Sequence, residues 1–258
     1  MTAVYTFDAL LSQGVSLLLP LARISAFVVG APMIDSNTIP PQAKVLISVF
    51  LAITVLPLID APPAIGWNFG SVLLLLQQMI IGFAMALALR VVFGVIQVAG
   101  QMIAQQMGLG FAALQDPQNG VQVPLVSRFY SVLLILLFLA IDGHLVVIEI
   151  LAGSFTSWPL SAGLPQWSMW EQFIHWTAII FSGGLRMALP AVVVLLMVNI
   201  SFGVIARAAP QLNILVVGFP ISLMVGLVMM LITVGPVSKI MIEFFTEALM
   251  VMRGLVGG

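Results

Sequence analysis

Cysteine is absent from this chain and charge is scarce: of 258 residues only 7% are Asp, Glu, Lys or Arg. Without thiols there is no disulfide, no thiolate nucleophile and no thiolate metal ligand. With so little charge the chain cannot clothe an ordinary soluble domain, where about 25% of residues are charged. No Lys-rich or Arg-rich run is present and the formal net charge is -1, so a footprint for a phosphate backbone is missing. Nucleic acid is therefore not an expected partner. The sequence also lacks a GxxxxGK[ST] phosphate loop, an HExxH helix and a GxSxG elbow. These gaps disfavour an ATPase, a zinc protease and a serine hydrolase of the usual patterns. No cofactor is expected.

What fills the space is hydrophobic, at 62% of residues. About 20 apolar residues cross a bilayer as a helix, and six segments qualify: 12–31, 43–59, 71–106, 129–151, 173–205 and 212–256. The fold expected is all-α and membrane-associated. Pro20 and Arg23 should interrupt the first segment, Gly183, Gly184, Arg186 and Pro190 the fifth, and Gly235 with Pro236 the sixth. The opening MTAVYTFDALLSQG holds Asp8 and no basic residue before the apolar run, a poor fit to a cleaved signal peptide. Trp158, Trp167, Trp170 and Trp176 cluster as interface anchors would, or as packing against a partner. Lys44, Arg128 and Arg207 lie near odd connections, Asp60 and Glu171 near even ones. The positive-inside tendency then puts the odd connections in the cytoplasm and both termini outside.

Polar residues inside apolar segments are the candidates for function. Gln97, Gln101 and Gln105 recur at four-residue spacing beside a small-residue stripe of Gly100, Ala104 and Gly108. Such a pair of stripes suits either a helix contact or a wet channel wall. Arg90, Glu149, Arg186 and Arg207 are charges in or beside apolar runs; Arg90 and Arg207 could equally mark helix ends. Asp142 and His144 in IDGHL could relay a proton, although a turn with a solvated histidine suits the residues better, and His175 has no ligand-spaced partner. The fifteen methionines suit lipid-facing or core filling, or a deformable seal.

The stretch GLGFAALQDPQNGVQVP, Gly108 to Pro124, interrupts the apolar pattern with three glycines and two prolines. Together with PLARISAFVVGAPMI, IPPQAKVLISVFLAITVLP and MVNISFGVIARAAPQLNILVVGFPI, in this order, it resembles the FliR family of flagellar export proteins, whose injectisome relatives are called SctT. The resemblance runs over nearly all of the chain.

That resemblance implies an export-gate subunit in the bacterial inner membrane at the flagellar basal body, joined to FliP and FliQ around a conduit for unfolded substrates. FlhB and FlhA are the further partners implied. The fold implied is one of kinked helical hairpins, with a FliP-like part at 1–170 and a FliQ-like hairpin at 171–258. Within the first part, 108–124 would be a plug carrying Gly108, Gly110, Phe111, Leu114, Gln115, Asp116, Pro117, Gly120 and Val121. The glycines permit tight backbone paths and Asp116 before Pro117 favours a turn. Gln97, Gly100, Gln101, Ala104 and Gln105 would pack between subunits, and Arg207, Pro210 and Asn213 would form the cytoplasmic tip of the hairpin. The competing readings are a secondary transporter, suggested by broken helices with Arg186 and Glu149, and an intramembrane enzyme using Asp142 and His144.

Overall fold

A computed structural model describes residues 17–34, 39–59, 69–109, 125–160, 163, 166–211 and 214–257. Asp60, Asn213 and the plug residues from Gly110 to Val121 lie outside the described residues. Among the described residues every regular element is helical: α1 (Leu18–Gly30), α2 (Pro41–Val55), a 3-10 turn (Leu56–Leu58), α3 (Phe69–Gln106), α4 (Leu125–Ala140), α5 (Gly143–Ser157), α6 (Trp167–Thr177), α7 (Ile179–Ala208) and α8 (Ile214–Leu255). Among the described residues three helical stretches are long and apolar enough to cross a membrane, α3, α6 with α7 (Trp167–Ala208) and α8, or four if α4 and α5 count as one bent span. At 38 residues, α3 reaches about 57 Å at ~1.5 Å per residue, as the long third segment predicts.

The breaks fall elsewhere than proline and glycine suggest. Pro20 sits in the first turn of α1, where backbone N–H groups have no helical partner to lose, and Arg23 lies in the same unbroken helix. α7 runs through Gly183, Gly184, Arg186 and Pro190, and α8 runs through Pro220, Gly235 and Pro236. Gly183 and Gly184 are contact points, set against Phe244, Val95 and Val98. The fourth apolar segment, expected as one helix over 129–151, is the one that breaks. Its two halves are bent by 70°, and the corner is Asp142, a non-glycine residue in the left-handed region at φ 55. A short polar side chain tolerates that conformation better than an apolar one. The Asp-Gly of IDGHL, read as suited to a turn, is this corner, set within apolar runs long enough on both sides to be counted as one span.

The chain divides into two compact units, one of Met1–Arg90, Asp142–Thr177 and Thr246–Gly258, the other of Val91–Ile141 and Ala178–Phe245. In the first, α1 packs on α2 and crosses the opening half of α3 at Gly82, where an added Cβ would stand 2.0 Å from the Arg23 carbonyl oxygen. Only a residue without a side chain lets the two backbones touch there. In the second unit the closing half of α3 meets α4 the same way, with Gly100 against the backbone of Ser127. Ser127 adds a hydrogen bond from its hydroxyl to the Gln97 carbonyl at 3.1 Å. Phe138 and Phe245 close this core with ring centroids 4.8 Å apart.

Gly82→Ala should lower stability by about 1–3 kcal/mol, the usual range for overpacking. Gly153→Ala, with nothing within 4 Å of the new methyl, should hold stability or raise it by up to ~1 kcal/mol. Thermal unfolding of the detergent-solubilised variants separates the two.

Candidate functional site

Arg23 is the largest fully buried side chain and has 0% exposure. Its Nε donates to Gln78 Oε1 at 2.8 Å, its Nη1 to the Ser154 carbonyl at 2.7 Å and to Ser154 Oγ at 3.1 Å, and its Nη2 to the Trp158 carbonyl at 3.0 Å. The guanidinium carbon stands 4.4 Å from the centroid of the Phe155 ring. None of these partners is a carboxylate. The positive group instead meets carbonyls at the C-terminus of α5, that of Ser154, which also accepts the Trp158 amide, and that of Trp158 just past the helix, where the helix dipole favours a cation. Gln78 is buried in turn, and its Nε2 donates to the Leu160 carbonyl at 3.2 Å, which fixes the orientation of its amide. The Trp158 indole donates to the Gly163 carbonyl at 2.7 Å. The segment after α5 is thus tied down from both sides.

Two further helix ends are capped the same way. Arg90 Nε donates to the Gly30 carbonyl at 2.8 Å, closing α1. Arg90 itself lies in the middle of α3, so it does not mark the end of its own helix. Asn199 Nδ2 donates to the Gln106 carbonyl at 3.1 Å and to Gln106 Oε1 at 3.3 Å, closing α3, while Ser222 Oγ donates to Asn199 Oδ1 at 3.2 Å. A cavity of about 360 Å³ opens beside this network, lined by Gln105, Gln106, Gly108, Asn199, Phe219 and Ser222 among others. Gly108 adopts φ 81, a left-handed turn that ends α3 and leads into the interruption.

The two stripes of α3 part company. Gly100 and Ala104 are buried within the chain, whereas Gln97, Gln101 and Gln105 are exposed. The small residues expected between subunits are therefore covered by this chain itself, and the amides are left on the outside. Arg186 gains the partner that sequence could not name: Nη1 and Nη2 donate to Glu243 Oε1 and Oε2 at 3.1 and 3.2 Å, a bidentate pair. The two side chains are 57% and 54% exposed and sit beside an outward apolar row of α7 that includes Phe181, Leu185 and Leu189. Arg207 is in the last turn of α7 and Pro210 follows it in the described turn; Glu149 is exposed on α5.

The proposed relay does not assemble. Asp142 is exposed at the corner, and His144 Nδ1 is buried without a hydrogen-bond partner among the described residues. His175 is 3.9 Å from Glu171, one helical turn away and open to solvent. Arg23, Gln78 and Asn199 are the residues that sequence reasoning missed as a site. The available signal was the cost of Arg23 in an apolar segment.

These features define an all-helical membrane protein whose buried polar groups are spent on holding helices together. The family model described as bacterial export proteins, family 1, matches residues 15–248, so the chain belongs to that family, the FliR family. It is similar to the flagellar biosynthetic protein FliR of Pectobacterium carotovorum, at 38% identity over 81% of this chain and 80% of the relative. It is also similar to the FliR proteins of Escherichia coli (31% identity, 88% and 87% covered) and Bacillus subtilis (28%, 92% and 93%). Membership makes the chain a non-enzymatic component of the flagellar type III export apparatus.

Arg23→Ala should cost about 1–3 kcal/mol for each buried neutral acceptor it strands, the Trp158 carbonyl above all. Arg23→Lys should recover only part of this, since one ammonium cannot reach three directions with a fixed fork. Thermal unfolding of the detergent-solubilised protein is the measurement. Equal stability of wild type and Arg23→Ala would show that the carbonyls find other donors.

Proposed function

We propose that this chain forms part of the wall of an export gate, assembled with FliP-type and FliQ-type chains around a conduit for unfolded export substrates in the bacterial inner membrane, at the flagellar basal body. The observation that carries the reading is the set of polar groups exposed on apolar helices. Lipid tails offer no hydrogen bonds, so the row of Gln97, Gln101 and Gln105 and the Arg186–Glu243 pair are costly against hydrocarbon. Partner side chains or a wet conduit remove that cost. The family membership supports the same reading over most of the chain.

On this proposal 1–170 is a FliP-like part and 171–258 a FliQ-like hairpin, the helices being kinked hairpins in the assembled gate. Gly108 to Pro124 is the plug, and Arg207, Pro210 and Asn213 form the hairpin tip toward FlhB, with FlhA around the gate. Phe111, Leu114 and Val121 supply weak, divisible contacts that part when a substrate enters. The energy for export comes from outside this chain.

Co-expression with FliP-type and FliQ-type partners, purification through a tag on this chain and the mass of the intact particle test the assembly. A discrete hetero-oligomer with one copy of this chain is expected. A stable particle of this chain alone would overturn the reading in favour of a transporter and direct attention to Arg186 and Glu149. Deleting Gln115 to Val121 should leave the particle intact and raise ion leak through it. Unchanged conductance with normal assembly sinks the plug assignment.

A further inference from the structure

Three prolines lie inside the long helices: Pro190 in α7, and Pro220 and Pro236 in α8. Each lacks an N–H and so leaves the carbonyl four residues earlier without its helical donor. At Pro236 three further weaknesses coincide. Gly235 precedes it, and an added Cβ there would meet nothing within 4 Å, so no packing contact demands the glycine. What a missing Cβ does supply is relief from the clash that a proline imposes on the residue before it. Thr233 Oγ1 donates to the Met229 carbonyl at 2.7 Å and the Met230 carbonyl at 3.3 Å, and Ser238 Oγ donates to the carbonyls of Val234 and Gly235. Hydroxyls that bond back to their own helix compete with its ladder and favour bending. Pro190 and Pro220 follow Leu189 and Phe219, and neither position combines a preceding glycine with back-bonding hydroxyls on both sides.

We infer that Gly235–Pro236 is a working hinge in α8, at which the helix alternates between a straight and a bent form while its two arms stay helical. The helix is continuous, yet at Pro236 the Ile232 carbonyl has no amide donor within it. Ser238 stabilises the bent form by giving its hydroxyl proton to the Val234 and Gly235 carbonyls, whose amide partners lie on the far side of Pro236, while Thr233 bonds back within the preceding arm. Gly235 and Pro236 are both exposed, so they lie on the outward face of α8, while Thr233 and Val237 beside them are buried. Glycine and proline are the two poorest helix formers, and placed in succession they concentrate the flexing at one point.

The inference does not rest on the proposed assembly and is tested apart from it. The chain has no cysteine, so spin labels go on Met224→Cys and Met250→Cys without removing a native thiol. Both positions are exposed on α8, and a straight helix would hold them roughly 39 Å apart at ~1.5 Å per residue. Pulsed electron resonance on the full chain in nanodiscs should give a broad wild-type distribution with a component several ångströms shorter. Pro236→Ala with Gly235→Ala should reduce it to one narrow peak near the straight-helix distance, and Pro220→Ala should leave it broad. Amide exchange over 233–240 should slow about tenfold or more in the double variant. A single narrow wild-type distance, straight or displaced, means a rigid helix or a fixed kink and overturns the hinge. An unchanged breadth in the double variant overturns it equally.

Discussion

The capping of helix C-termini by side chains from distant helices is the interaction on which the rest of this structure depends. A helix leaves its last carbonyls without amide partners, and where water is excluded each such group costs several kcal/mol if nothing reaches it. Here the Trp158 carbonyl just past α5 accepts from Arg23, the Gly30 carbonyl ending α1 from Arg90 and the Gln106 carbonyl ending α3 from Asn199. In every case the donor sits within another helix, so satisfying the helix end also fixes which helices are neighbours. A carboxylate partner would neutralise Arg23 locally but would place a second buried charge that must itself be solvated. Carbonyl dipoles do the same work with no additional ion.

Close approach of backbones follows from that geometry. Arg23 can reach the end of α5 only if α1 lies hard against α3, and Gly82 makes the contact short enough. The same device recurs at Gly100 and Ser127 in the second unit. Gly82, Gly100, Gly183 and Gly184 are therefore contact residues and not breakers. That is why α7 passes unbroken through Gly183 and Gly184 while the chain turns at Asp142, where no glycine or proline precedes the corner.

Much of the helical content was legible from the run lengths of apolar residues, because a 62% hydrophobic chain with 7% charge leaves few alternatives. The long third helix and the end of the fifth segment near Arg207 follow from the pattern directly. The corner at Asp142 was legible only in part: the Asp-Gly of IDGHL suits a turn, but the apolar runs on both sides let 129–151 be counted as one helix. Arg23 was visible as an expense, but its partners lie 55 to 135 residues away, and periodicity says nothing about contacts at that range. The stripes on α3 were found as stripes; which of them faces inward depends on where α4 packs. The backbone of Ser127 lying against Gly100 is what puts that stripe on the inside.

The buried guanidinium also sets an order of events during synthesis. Arg23 emerges from the ribosome early, in a helix of 13 residues that is too short to span a bilayer alone. The carbonyl that receives it belongs to Ser154, 131 residues later. At roughly 5–20 residues per second, translation takes about 7–26 s to supply that acceptor. Until then only the Gln78 amide, 55 residues after Arg23, is on hand to accept from it, so the full set of partners depends on the chain reaching the end of α5.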